Sequence, residues 1–180
     1  MASRVILVAH APTAGMRELV FDDRSDVVRP EAVVPLAERV MTWTSGPEPA
    51  CAETSRLLGG EPAVVAELAN ADLGSWRGRT LADVGDEDPA GLARWLSDPF
   101  ATPHAGESLA QLVERVGSYC DRRDWPPGGS VTVVTPLVAR AMAVHALGAA
   151  PQVIFRIDLA PLARVGLSRH GQGWRLQQLG

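Results

Sequence analysis

Residues 4–13, RVILVAHAPT, constrain the fold more than any other stretch of this chain. Val5, Ile6, Leu7 and Val8 form an uninterrupted apolar run, three of them β-branched. Such a run suits a strand buried on both faces, as in the centre of a parallel sheet. It stops at Ala9-His10-Ala11-Pro12, because proline cannot continue a sheet ladder. His10 therefore falls at the carboxyl end of a central strand, where open α/β sheets keep their ligands.

The length of 180 residues corresponds to one domain, reading 1–180 as a single unit with enough chain for a full core. Apolar residues at 46% and charged residues at 21% describe an ordinary globular chain. No apolar run approaches a membrane span, and the first strand begins too early for a signal peptide, so a cytoplasmic setting is expected. The net charge of −4 argues against a nucleic-acid partner. Cys51 and Cys120 make no disulfide framework, and no Cys/His spacing fits a metal, so no cofactor is expected. All 17 basic residues are arginine, which removes lysine nucleophiles and Schiff bases from the chemistry.

Residues 13–29 read as a loop over the strand ends. Residues 30–40 read as a helix opened by Pro30, with Glu31 at its positive end and Pro35 as a kink or delayed start. Residues 41–45 read as a strand, 50–58 as a helix closed by Gly59-Gly60, and 64–68 as an apolar segment. A glycine- and tryptophan-bearing loop covers 70–80, and one or two short helices broken around Pro89 cover 81–96. Leu109, Leu112, Val116 and Cys120 recur at helical spacing across 108–121. Residues 131–135 form a second buried-type strand, followed by a helix over 138–147 that Gly148 ends. Residues 153–159 and 164–169 read as strands, and 174–179 as a closing hairpin strand. Alternating strands and helices predict a three-layer α/β sandwich with a mainly parallel central sheet. Right-handed crossovers then bring His10 and Pro136 to one sheet edge.

The order of these segments resembles the histidine phosphatase superfamily, the phosphoglycerate-mutase-like fold. That family opens with a strand ending in Arg-His-Gly; here the residues are Ala9-His10-Ala11, then Pro12-Thr13. Its Ser-Pro-x-x-Arg-Ala-x-x-Thr segment resembles Gly46-Pro47-Glu48-Pro49-Ala50-Cys51-Ala52-Glu53-Thr54. Its Glu-x-x-Phe-Gly-x-Trp-Glu-Gly-x-Thr segment resembles 70–80, with Leu73, Gly74, Trp76, Gly78 and Thr80 in step. Gly106-Glu107-Ser108 matches a Gly-Glu-Ser that opens a helix. Val134-Thr135-Pro136-Leu137 and Arg140-Ala141-Met142 resemble a strand ending Val-Thr-His-Gly-Gly and the helix after it.

The resemblance implies a mechanism in which one histidine attacks phosphorus, two arginines and a second histidine hold the phosphoryl oxygens, and a carboxyl group protonates the leaving oxygen. Carried over position by position, only the nucleophile persists, as His10. Ala9, Ala50, Asn70 and Pro136 stand where the arginines, the acid and the second histidine would be.

Two readings of function follow. One is a degenerate relative without phosphatase or mutase activity, acting as a binding or scaffold protein for a small molecule or protein at the His10 cleft. The other is an active phosphohydrolase on a small phosphomonoester, working through a phosphohistidine at His10 in a rewired pocket. Glu107 is the candidate substitute acid. Thr13, Arg17, Trp76, His104, Thr135 and Arg140 are the candidate pocket residues, with Arg24 and Asp72 weighed beside them. Homodimerisation through a sheet edge or helix is a third idea.

Overall fold

The structure, a computed structural model, describes residues 3–21, 27–36, 40–171 and 173–179. Strand β1 (Ser3–Ala9) is the spine of a six-stranded sheet. It pairs in parallel with β4 (Gly128–Val134) and antiparallel with β5 (Arg164–His170). Strand β2 (Thr42–Ser45) lies parallel to β4, and the two-residue β3 (Ala63–Val64) lies parallel to β2. Strand β6 (Gly173–Leu179) closes the far edge antiparallel to β5, giving the order β3-β2-β4-β1-β5-β6. The mainly parallel α/β sheet expected from the sequence is the one found.

Side-chain alternation along β1 explains why the sheet is covered on both faces. Val5 and Leu7 point into a core built with helices α5 (Leu109–Arg122) and α6 (Pro136–Ala146). Ile6 and Val8 point the other way, onto Cys51 and Leu58 from the segment of α2 (Pro49–Leu57). Helix α5 starts with a reciprocal cap. The Ser108 hydroxyl accepts from the Gln111 N–H at 3.2 Å, while the Gln111 side chain accepts from the Ser108 N–H at 2.8 Å. Its buried stripe runs through Leu112, Val116 and Cys120, as the spacing predicted.

Three expectations need correction. The loop expected over 13–29 contains a short helix, α1 (Ala14–Glu18), because the Thr13 side chain accepts from the Met16 N–H and nucleates a turn. The helix expected over 30–40 is reduced to a 3-10 turn, Pro30–Ala32. Residues 33–36 run on without regular structure, since proline at 35 withholds a donor and disfavours helical geometry at Val34; residues 37–39 lie outside the described set. The strand expected over 153–159 is instead a 3-10 segment, Pro151–Arg156, whose Ile154 is buried in the core with α6. A short apolar run does not distinguish these two states by periodicity. Helices α3 (Leu81–Glu87) and α4 (Pro89–Ser97) do break around Pro89.

Between α4 and α5 the chain buries His104 completely. Its ring packs edge-on to Trp76 at 5.0 Å and Trp95 at 6.4 Å. Its Nδ1 accepts from the Gly106 N–H at 3.0 Å. The acceptor role of Nδ1 places the proton of the neutral ring on Nε2. Burial holds His104 below its ordinary value of 6.5, with Asp72 partly opposing.

Two predictions follow from these contacts. Replacing Ser108 by alanine removes the cap of α5 and should lower unfolding free energy by about 1 kcal/mol in urea titration. For His104, the unfolded chain takes up a proton below its ordinary pKa while the folded chain resists, so stability falls as pH drops from about 7 to about 5. His104→Asn keeps an acceptor for Gly106 and removes this titration. Its unfolding free energy should vary less over that range than that of the wild-type chain. Parallel pH profiles would contradict the assignment.

Candidate functional site

The site begins where β1 and β4 end side by side. Ala9 lies opposite Val134, and the His10 N–H donates to the Val134 carbonyl at 3.0 Å, extending the ladder by one residue. The His10 ring is 8% exposed, with Nδ1 2.8 Å from the Ala11 carbonyl oxygen. A carbonyl only accepts, so Nδ1 carries a proton, and Nε2 is the acceptor nitrogen of the neutral ring. The Ala11 N–H donates to the Thr54 hydroxyl at 2.9 Å, tying this turn to α2.

Next to it, Thr135 caps α6. Its hydroxyl accepts from the Val138 N–H at 3.3 Å and donates to the Asn70 carboxamide oxygen at 2.9 Å. Asn70 reaches across to a third element: its N–H donates to the Glu48 carboxylate at 2.7 Å. Glu48 is 8% exposed and precedes Pro49 at the start of α2, yet its side chain does not cap that helix. It turns instead toward Asn70, and its Oε2 lies 3.8 Å from the Cys51 sulfur, whose S–H donates. Burial, reinforced by Glu48, pushes the Cys51 thiol well above its ordinary pKa, so it stays protonated. Gly46 makes room for this carboxylate. A Cβ at that position would stand 2.7 Å from Oε2 and 2.8 Å from the Leu68 carbonyl oxygen.

These groups form the floor of a cleft of about 250 Å³. Its walls are apolar and aromatic, with Met16, Phe21, Leu73, Trp95, Leu137 and Phe155 among them. Backbone bonds hold one wall in place: Phe21 N–H to Arg79 O at 2.8 Å, and Gly78 N–H to Phe21 O at 2.7 Å. Arg140, one turn into α6 from Pro136, lines the cleft and approaches Asp158 at 3.7 Å. Burial draws its pKa down from the ordinary value, opposed by Asp158.

Of the residues singled out in the sequence, His10, Thr13, Thr135 and Arg140 meet in this cleft, together with Ala50, Asn70 and Pro136. The other described candidates do not line it. Trp76 is buried behind the wall, 5.4 Å from the Phe21 ring and 5.8 Å from Trp95. His104 is sealed in the same aromatic cluster. Arg17 lies exposed on α1. Glu107 is gripped by Arg115 through two bonds of 2.8 and 2.7 Å, in a separate hollow on the side of α5. A carboxylate held by a bidentate guanidinium outside the cleft is badly placed to protonate anything at His10. Asp72 pairs with Arg77 at 2.8 Å, also outside. Arg24 and the acidic residues around it lie outside the described residues.

Sequence reasoning missed Glu48 and the aromatic wall. The one available signal for Glu48 was a carboxylate directly before a proline that opens a helix. Its inward course depends on Gly46 and on Asn70, which is 22 residues away. Among the described residues, no group of three His, Cys, Asp or Glu side chains could hold a metal ion. No helix among them is long and apolar enough to cross a membrane.

Comparison with known proteins places this geometry. A stretch of 113 residues, 61% of the chain, is 34% identical to the bifunctional protein Rv2228c of Mycobacterium tuberculosis. The same figures hold for the uncharacterized protein Mb2253c of Mycobacterium bovis. The matched stretch amounts to 31% of each of those longer proteins. Among solved structures, the mycobacterial glucosyl-3-phosphoglycerate phosphatase Rv2419c superposes with a TM-score of 0.81 at 18% identity, covering 98% of this chain and 97% of that one. The alpha-ribazole phosphatase of Shigella flexneri gives a TM-score of 0.82 at 15% identity, covering 98% and 95%. At such identities these two likenesses establish the fold alone. The profile of the histidine phosphatase superfamily (branch 1) matches residues 36–180. That match spans most of the chain, and the chain belongs to the histidine phosphatase superfamily.

Proposed function

We propose that this chain is a non-catalytic member of its superfamily, a binding protein whose cleft holds a small molecule or a protein segment without splitting a phosphate ester. One observation carries the proposal. A buried carboxylate, Glu48, shares the cleft floor with His10, while the positions that the resemblance assigns to cations and acid hold Ala9, Ala50, Asn70 and Pro136.

The physical consequence is large. A phosphomonoester dianion needs converging positive or N–H donors, and loss of a single such donor typically costs about two to three orders of magnitude in rate. Among the described residues lining the cleft, Arg140 is the one guanidinium, and Asp158 draws on its charge. A carboxylate adds repulsion. Two unit charges about 4 Å apart at an effective dielectric constant of about 20 interact by about 4 kcal/mol, and the ester carries two negative charges. Asn70 cannot supply a proton near neutral pH.

A second reading has one observation in its favour. The bond from His10 Nδ1 to the Ala11 carbonyl leaves Nε2 as the basic nitrogen, which is what attack on phosphorus requires. The phosphatases with this fold named above make a small phosphomonoester the substrate class for that reading.

A generic aryl phosphate separates the two. The wild-type chain should hydrolyse 4-nitrophenyl phosphate no faster than His10→Ala, both at the buffer rate. Turnover above background that disappears in His10→Ala overturns the non-catalytic reading.

A further inference from the structure

Arg140 is the polar feature of the cleft that the bonded network on the floor leaves unexplained. It follows Leu137 by three residues on one face of α6, and both line the cleft. A guanidinium carries five N–H donors and no acceptor. The Arg140 Nε is buried and meets no hydrogen-bond acceptor among the described residues. Its Nη2 lies 3.7 Å from the Asp158 carboxylate, longer than a hydrogen bond, and the Asp158 side chain stands fully exposed. Trp95, another lining residue, is 6% exposed, and its indole N–H likewise meets no acceptor among the described residues. The Trp95 and Phe155 rings meet edge-on with centroids 5.0 Å apart. The walls thus combine apolar surface with N–H donors that the protein leaves without acceptors. A donor held away from water without an acceptor is costly, so a ligand that supplies one gains what the fold forgoes.

Charge decides which acceptor fits. An ammonium ligand meets the Arg140 guanidinium in the same cleft. A carboxylate ligand meets Glu48 on the floor, while Asp158 already draws on the charge of Arg140. A neutral carbonyl oxygen accepts from an N–H and meets neither repulsion. We infer that the cleft takes a neutral, carbonyl-bearing apolar molecule of the amide or ketone class. Its oxygen accepts from Arg140, and its body lies against Trp95, Phe155 and Leu137. The inference rests on the non-catalytic reading above and names the ligand class for that same site. It asks neither His10 nor Glu48 to give up a partner. A volume of about 250 Å³ limits the ligand to a ring with a short chain or an aliphatic body of similar size.

Four ligands that share a phenyl body test this by isothermal titration at neutral pH: 2-phenylacetamide, phenylacetate, phenethylamine and ethylbenzene. The wild-type chain should bind the amide more tightly than either the carboxylate or the amine. Arg140→Met keeps an unbranched side chain and removes the donors. It should weaken the amide at least about tenfold, the usual worth of a hydrogen bond to a charged group, while ethylbenzene, which offers no acceptor, loses far less. If Arg140→Met does not fold, Asp158→Asn, altered at an exposed position, takes its place. With one negative charge fewer beside Arg140, that variant should strengthen phenylacetate by more than it strengthens the amide. The inference is overturned if the amide fails to bind at millimolar concentration, if phenylacetate or phenethylamine binds more tightly, or if Arg140→Met weakens amide and ethylbenzene alike. An equal response of amide and phenylacetate to Asp158→Asn also overturns it. Any of these results with 4-nitrophenyl phosphate left intact leaves the non-catalytic reading standing. His10-dependent turnover of that ester removes the reading and this inference with it.

Discussion

Everything in this molecule that bears on function depends on the parallel pairing of β1 with β4. Their register sets Ala9 level with Val134, so the residues that follow, His10 and Thr135, leave the sheet side by side. The pairing is strong because both strands are buried on both faces. Val5 and Leu7 contribute to one layer of core, and Ile6, Val8, Val131 and Val133 to the other. A one-residue slip would send each set to the wrong layer. The cleft is thus fixed by packing well away from it, and its floor inherits the rigidity of the central sheet.

Within that rigid frame, the chemistry is decided by a few short-range choices. Pro136 begins α6, Thr135 caps it, and the same hydroxyl anchors Asn70. Asn70 in turn anchors Glu48, and Gly46 leaves the space in which the carboxylate lies. The network therefore links the ends of β2 and β4 with the loop after β3. It sets Thr135, Asn70 and Glu48 side by side beneath His10. Membership in the superfamily and the phosphatase fold are established by the matched residues.

Much of the frame was legible in the sequence, for physical reasons. A β-branched run ended by proline has few alternatives to a central strand, and Leu109, Leu112, Val116 and Cys120 at helical spacing mark a buried helix face. The meeting of His10 with Thr135 and Pro136 followed from strand ends and crossover handedness. The failures share a cause: they are residues whose state depends on contacts distant in sequence. Glu107 looks like an acid at a helix start until Arg115, eight residues on, takes both of its oxygens. His104 and Trp76 look like cleft residues until the aromatic cluster encloses them. Residues 153–159 have strand-like composition, yet they pack Ile154 beneath α6 as a 3-10 segment. Glu48 could not be placed, because its direction is set by an absent side chain at Gly46 and a backbone N–H beyond β3.

The central claim is that the floor of this cleft no longer grips a phosphate group. The most direct measurement is a titration of the isotopically labelled chain with inorganic phosphate, followed through the backbone amide resonances of His10, Asn70 and Val138. The account predicts that these signals stay in place up to millimolar phosphate, moving no more than amides on the opposite face of the sheet. Saturable shifts at all three positions at micromolar phosphate would contradict it.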